Sequence, residues 1–249
     1  MITVNEILTY LCKLYPVNTA CDFDNVGLLV GDGFCEVKSA IISLDCDVNT
    51  IEFAKENGAN LIITHHPVIF QSLKSVTENS IVYSLIKDGI SVISMHTNLD
   101  VGRGGVNDTL CEVLNLKSIK SYTANDGYVL KCGKTDISDA DEFARFIKEK
   151  LGGNVRYVSG SKPIKNVLVC SGSGGSYLSE AIAGGFDALI TADVKHNVFI
   201  DAINSDISLF DGGHFNTENI IVDRLYSLLS KKFKDISFSP YGDRKIKTV

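Results

Sequence analysis

Ala40-Ile41-Ile42-Ser43-Leu44 and, beyond a polar stretch, Asn60-Leu61-Ile62-Ile63-Thr64-His65-His66-Pro67 decide how this chain is read. Both apolar runs have the length and branching of buried strands. Between them, Asn49 to Asn57 reads as a helix stopped by Gly58, giving a strand-helix-strand unit. Downstream, Ile81 to Lys87 reads as a helix ended near Gly89, and Ile90-Ser91-Val92-Ile93-Ser94-Met95 as a strand that delivers His96. Upstream, Thr3 to Leu14 has amphipathic helical spacing, and Asp24-Asn25-Val26-Gly27-Leu28-Leu29-Val30-Gly31 reads as a turn feeding a short strand closed by glycine. Strands alternating with helices predict a mainly parallel sheet covered on both faces.

The unit returns later in the chain. Val167-Leu168-Val169-Cys170, a Gly/Ser-rich turn, a helix from about Ser176 to Ala183, Gly184-Gly185 and Ala188-Leu189-Ile190-Thr191 repeat the order at a spacing of 127 residues. A second match follows at a spacing of 118: His96-Thr97-Asn98-Leu99-Asp100 and His214-Phe215-Asn216-Thr217-Glu218. The expected fold class is therefore α/β, with two similar interleaved lobes and mainly parallel mixed sheets. The lobes are placed at about 1–124 with 206–249, and about 125–205.

Composition bounds the function classes. The 249 residues suffice for a proper core, and 45% apolar with 22% charged residues is ordinary for a globular protein. A net charge of -6 with a pI near 5.4 argues against a nucleic-acid-binding role, which needs clustered Lys and Arg. The one basic cluster, Lys231-Lys232-Phe233-Lys234, reads as the solvated end of a C-terminal helix. Seven cysteines without a CxxC pair fit reduced thiols, most of them small core residues, and none has an activating context for a nucleophile. No basic leader precedes an apolar stretch, and no run approaches the roughly 18 apolar residues of a membrane span. A cytoplasmic protein without a membrane partner is expected.

All five histidines lie at or just beyond the end of an apolar run. In parallel α/β sheets ligands bind beyond the carboxyl ends of the strands, and His65, His66, His96, Asp100, His214 and Glu218 fall at such places. Imidazole and carboxylate suit Zn, Mn, Fe, Co or Ni, and this set is too large for one tetrahedral ion with an open position. Two ions sharing a carboxylate would use it. His96 would be a ligand or would hold Asp100 in place, and His196 would be a ligand or a hydrogen-bonded structural histidine. Adjacent His65 and His66, leaving a strand toward opposite sides, would be costly as two core histidines without partners. Gly102-Arg103-Gly104-Gly105 and Ser171-Gly172-Ser173-Gly174-Gly175 match neither a P-loop nor a dinucleotide fingerprint, and both are expected to be flexible turns.

Taken together, Asp24 to Gly31, Thr64-His65-His66-Pro67, His96 to Asp100, Gly105-Val106-Asn107-Asp108 and Gly213 to Glu218 resemble the successive signatures of the Nif-three-like family, often labelled GTP cyclohydrolase I type 2 homologs. The resemblance runs from end to end. It implies two similar α/β lobes with a metal site in the cleft between them, a dinuclear centre held by His65, His66, Asp100, His214 and Glu218 with Glu218 as bridge, in a toroidal homohexamer. The chain is similar to short members without a central insertion. Two departures stand out. Phe23 replaces a usual tryptophan, which is expected to change packing more than chemistry, and Thr191-Ala192-Asp193 replaces Thr-Gly-acid, which puts the local turn in question. The functional expectation is a metal-dependent hydrolase acting on a nucleotide or other small phosphorylated compound, with His96 as proton shuttle. The alternative is a non-catalytic metal-braced scaffold that binds protein partners.

Overall fold

The computed structural model describes residues 1–242 and residue 246. In chain order its elements are α1 (Val4–Leu14), β1 (Gly27–Val30), β2 (Ser39–Ser43), α2 (Val48–Glu56), β3 (Leu61–Thr64), α3 (Ile81–Lys87), β4 (Ser91–Ser94), α4 (Thr97–Val101) and α5 (Val106–Val113). There follow β5 (Lys117–Thr123), β6 (Val129–Lys134), α6 (Ala140–Leu151), β7 (Arg156–Val158), β8 (Asn166–Val169), α7 (Leu178–Ala183), β9 (Ala188–Thr191), α8 (His196–Asn204), β10 (Ser208–Asp211), α9 (His214–Glu218), α10 (Ile220–Lys232) and β11 (Ser237–Tyr241). The chain folds as two compact units, one of Met1–Arg103 with the C-terminal helix and strand from Ile221, the other of Gly104–Ile220. Sheet membership sets these bounds. Strands β5 and β6 pair with each other and β6 with β8, while β10 joins β9, so residues 104–124 and 206–220 go with the second unit rather than with the first, where the sequence reading puts them. Residues 243–245 and 247–249 lie outside the described residues.

The first unit carries a five-stranded sheet in the order β1-β4-β3-β2-β11. The pairs β4-β3, β3-β2 and β2-β11 are parallel and β1-β4 is antiparallel. Local chemistry starts its helices where the sequence signals them. Thr3 caps α1 in a capping box, its backbone N–H donating to Glu6 Oε2 at 2.8 Å while the Glu6 N–H returns to Thr3 Oγ1 at 3.3 Å. Asp47 accepts the Thr50 N–H at 2.8 Å to begin α2. Alternate strand residues face opposite sides: Ile41, Ile62 and Val92 join one core with Ile51 and Leu85, while Ala40, Ile42, Leu61, Ile63 and Ile93 are equally buried on the other side. At the end of α10, Lys231, Lys232 and Lys234 are exposed around Phe233, which packs edge-on against Tyr10.

The second unit carries a six-stranded sheet in the order β5-β6-β8-β9-β10-β7. Its central pairs β8-β9 and β9-β10 are parallel, and its flanking pairs are antiparallel. Both faces are covered. Val167, Val169, Ala188, Ile190 and Phe210 pack with Phe143 and Ile147 of α6, and Leu168, Leu189 and Leu209 pack with Leu178 and Ala202 of α7 and α8. The internal repeat holds at the level of elements. Strand β3 recurs as β9 127 residues on, and α2 recurs as a 3-10 turn at Gly175–Tyr177 continued by α7. For the last strand and helix the spacing is 117, not 118: β4 and α4 recur as β10 and α9. The Asp100 N–H bonds to the His96 carbonyl as the Thr217 N–H bonds to the Gly213 carbonyl. His214 therefore stands one residue further into its helix than His96, and the matching spelling of the two segments is not a matching placement.

Core and surface positions of the second unit should respond differently to truncation. Ile190→Ala, at a side chain that is 0% exposed, is expected to cost about 2–5 kcal/mol in urea unfolding. Ile203→Ala, at 54% exposure on α8, should stay within about 0.5 kcal/mol.

Candidate metal centre

In the first unit the carboxyl ends of β2, β3 and β4 lie side by side, and each releases polar side chains. Beyond β3, the backbone N–H groups of His65 and His66 continue the pairing onto the carbonyls of Ser43 and Leu44. The chain turns there, held by the Thr64 hydroxyl donating to the His66 carbonyl at 2.8 Å. The two rings do not diverge as simple strand alternation predicts. Their centroids are 5.1 Å apart, and the His96 ring stands 5.2 Å from His65 and 5.8 Å from His66. Each of the three offers a ring nitrogen within 4.8 Å of the others, a grouping that could hold a metal ion.

Each ring is fixed through Nδ1 by an oxygen. His65, fully buried, lies 2.9 Å from the Met95 carbonyl through this atom, and a carbonyl can only accept, so the proton sits on Nδ1. His66 Nδ1 is 2.6 Å from Asp45 Oδ1, and His96 Nδ1 is 2.8 Å from Asp24 Oδ1. Protons placed this way leave the Nε2 lone pairs for a cation, the arrangement common to metal-ligating histidines. Asp100, on α4, brings Oδ1 to 3.5 Å from His65 Nε2. Burial alone would raise the pKa of Asp24, but the hydrogen bonds from His96 and from the Thr97 hydroxyl and N–H outweigh it and hold the carboxylate well below its usual range.

The second unit assembles its own donor pair. His214 Nε2 is 3.0 Å from Glu218 Oε2, one helical turn on, and its Nδ1 is 2.7 Å from Asp193 Oδ2 beyond β9. The Ser173 hydroxyl donates to the same Asp193 oxygen at 2.6 Å. The bond to Glu218 chiefly, against burial, pushes the His214 pKa up to about 9, with Asp193 adding to the effect. Asp193 itself is lowered: the bonds from Ser173 and His214 overcome its burial.

The Ser171–Gly175 stretch is a fitted wall rather than a flexible turn. Gly172 has φ +59°, and a Cβ there would stand 2.1 Å from Glu218 Oε1. Its N–H donates to the Thr217 hydroxyl at 3.2 Å, its carbonyl accepts the Ala192 N–H at 2.8 Å, and the Gly174 N–H donates to the Thr191 hydroxyl at 2.8 Å. The Ala192 departure costs nothing, because the left-handed residue in that turn is Asp193, at φ +51°. His196 is exposed at the start of α8 and belongs to none of the metal-competent groupings among the described residues.

Asp24, Asp45, Asp193 and Ser173 are the functional positions that sequence reasoning passed over. The available signal was their place: Asp45 and Asp193 follow β2 and β9, the strands paired with those that lead to His65-His66 and to His214, and Asp24 lies in the turn before β1, which pairs with β4. Burial raises the pKa of the Cys111 thiol and pushes that of Cys46 up to about 12, which keeps both in the thiol form. No helix of the described residues is long and apolar enough to cross a membrane.

Gly172→Ala should destabilise the chain by about 1–3 kcal/mol in urea unfolding, through its left-handed backbone and the collision with Glu218. In the double variant with Glu218→Ala the two losses should be less than additive. Strict additivity would remove the contact as the cause.

A model of the family Duf34/NIF3 (NGG1p interacting factor 3) matches residues 2–241. A Clostridium perfringens protein named GTP cyclohydrolase 1 type 2 homolog is 36% identical over 228 residues, 86% of this chain and 86% of its own. A Campylobacter jejuni protein of the same name is 35% identical over 221 residues, 86% of this chain and 87% of its own. The crystal structure of the Staphylococcus aureus protein SA1388 is similar with a TM-score of 0.90 at 29% identity, over 99% of each chain. Matched over residues 2–241 by the family model and 36% identical to a relative along 86% of its length, the chain belongs to the Duf34/NIF3 family.

Proposed function

We propose that the protein is a dinuclear metal-dependent hydrolase of the cytoplasm that acts on a nucleotide or other small phosphorylated compound. The observation that carries the reading is the set of three histidines whose Nδ1 atoms are all engaged by protein oxygens, on rings of which two, His66 and His96, are only partly buried. A structural metal site is closed by protein ligands, whereas a catalytic one keeps a face to solvent. The donor types fit a divalent first-row ion, neutral imidazole with carboxylate. The name of the C. perfringens and C. jejuni relatives points the same way.

In this reading His65, His66, Asp100, His214 and Glu218 would hold the two ions. Such ions would supply Lewis acidity, making water nucleophilic near neutral pH and polarising a substrate oxygen. The chain's own residues do the rest. Met95, Asp45 and Asp193 fix the tautomers of His65, His66 and His214 by bonding their Nδ1 protons. His96 takes and returns a proton through Nε2, while Asp24, held ionised, orients its ring and stabilises the imidazolium. Gly172 leaves room for the Glu218 carboxylate. The proposal includes the toroidal homohexamer that the family resemblance implies, which light scattering would read as six chain masses.

Elemental analysis of gently purified protein, followed by a turnover screen over nucleotides and phosphorylated metabolites, is the direct test. Close to two ions per chain with metal-dependent turnover is expected, and Glu218→Gln should lower turnover about 100-fold or more while the fold persists. Two ions without any turnover would replace the hydrolase by the metal-braced scaffold, and one ion or none would remove the dinuclear centre. Asp45→Ala, which leaves every ligand in place, should weaken metal binding about 10–100-fold in a chelator competition. Unchanged affinity would deny Asp45 its positioning role.

A further inference from the structure

Phe23 and Phe70 stand beside the histidine cluster with their rings in water. Phe23 is 68% exposed and Phe70 is 47% exposed. Phe23 is thus not the packing residue that its position in the sequence suggests. The two rings meet edge to face at 6.2 Å between centroids, and Phe70 meets the His96 ring in the same manner at 6.1 Å. Isolated exposed apolar residues are ordinary on a protein surface. A contiguous aromatic pair at the rim of a polar cluster is not, and such patches mark binding sites.

The pair is also built into the site by its neighbours. Phe23, Asp24 and Asn25 are consecutive. Asp24 holds the His96 ring, and the Asn25 side-chain amide donates to the Ile69 carbonyl at 2.6 Å, fixing the segment that presents Phe70. Val68 and Ile69 pack on the core of the first unit, so the aromatic ring is carried on an anchored backbone. One three-residue turn therefore sets both the candidate proton-transfer group and the aromatic pair.

We propose that Phe23 and Phe70 form a stacking platform for a planar heteroaromatic ring, so that the ligand of this site is a base-bearing compound rather than a simple sugar phosphate. Every nucleobase has a π-face, and stacking on an aromatic side chain is strong and tolerant of ring identity. Both phenylalanines keep solvent-exposed surface beyond their edge-to-face contact, and continuity with His96 places a ring stacked there next to the group that would move the proton. The inference rests on the proposed hydrolase site insofar as it names that site's substrate class.

The test uses the metal-loaded protein and four probes: guanosine, ribose, guanosine 5'-monophosphate and ribose 5-phosphate, with binding followed by ligand-observed NMR and calorimetry. The native protein is expected to bind each guanine compound about tenfold or more tightly than its base-free partner. In the Phe23→Leu/Phe70→Leu variant that preference should fall below about threefold, with metal content and ribose 5-phosphate affinity unchanged, and Phe70→Trp should retain it. Absence of the preference in native protein, its persistence in the double leucine variant, or failure of all four probes to bind would overturn the platform. A drop in native mass of the leucine variant, seen by light scattering, would also overturn it by making the pair a contact between copies. The two readings fail separately. A guanosine preference lost with the phenylalanines but unaccompanied by turnover sustains the platform without the hydrolase, while turnover with no base preference does the reverse.

Discussion

A neutral imidazole has one proton and one lone pair, so a protein that needs the lone pair on Nε2 has to hold the proton on Nδ1. His65, His66 and His96 meet this condition, with Met95, Asp45 and Asp24 as the respective acceptors, and His214 is held through Nδ1 by Asp193 in the same way while its Nε2 bonds Glu218. The parallel sheet makes it geometrically simple. Adjacent parallel strands end at the same edge, so the loop leaving one strand can reach the side chain leaving the next. Asp45 follows β2 and bonds His66 beyond β3, Met95 follows β4 and bonds His65, and Asp193 follows β9 and bonds His214 beyond β10. Only Asp24 comes from elsewhere, from the turn before β1, and β1 is the strand that pairs with β4 directly.

Much of this was legible in the sequence because the signals are local. Short apolar runs with glycine stops gave β2, α2, β3, α3 and β4 to within a residue or two, and the amphipathic spacing from Thr3 to Leu14 gave α1. What was not legible depends on contacts between distant segments. Strand alternation sends His65 and His66 apart, but the pairing of both N–H groups with the β2 extension and the Thr64 bond bring their rings together. Composition makes Ser171 to Gly175 a loose turn. The close approach of Glu218, 46 residues later, makes it a wall. The unit boundaries likewise depend on which strands pair, and no periodicity within 104–124 states that β6 will join β8.

The repeat shows how a pattern in letters and a pattern in space come apart. The elements repeat at 127 and then at 117, while His-x-Asn-x-acid repeats at 118. One residue on a helix turns a side chain by about 100°, so His96 and His214 address their surroundings differently. The difference appears in their partners: His214 bonds a carboxylate four residues on in its own helix, whereas His96 has Asp24 from the turn before β1 and the Phe70 ring.

The side chains of each unit that could hold a cation are fixed by hydrogen bonds within the protein, and this has an energetic consequence. Side chains already held by hydrogen bonds lose little further freedom on binding, so less of the interaction with an ion is consumed in ordering them. The cost falls instead on folding, which has to bury His65, Asp100 and Glu218 and to accommodate a left-handed Gly172. The four-residue strands that carry these groups are wholly buried, with branched side chains packed on both faces, and this core is what offsets that cost. A substitution deep in β3 or β9 should therefore reach the site by loosening the strand ends, even where no donor is touched, while an exposed helix position such as Ile203 should leave it as it was.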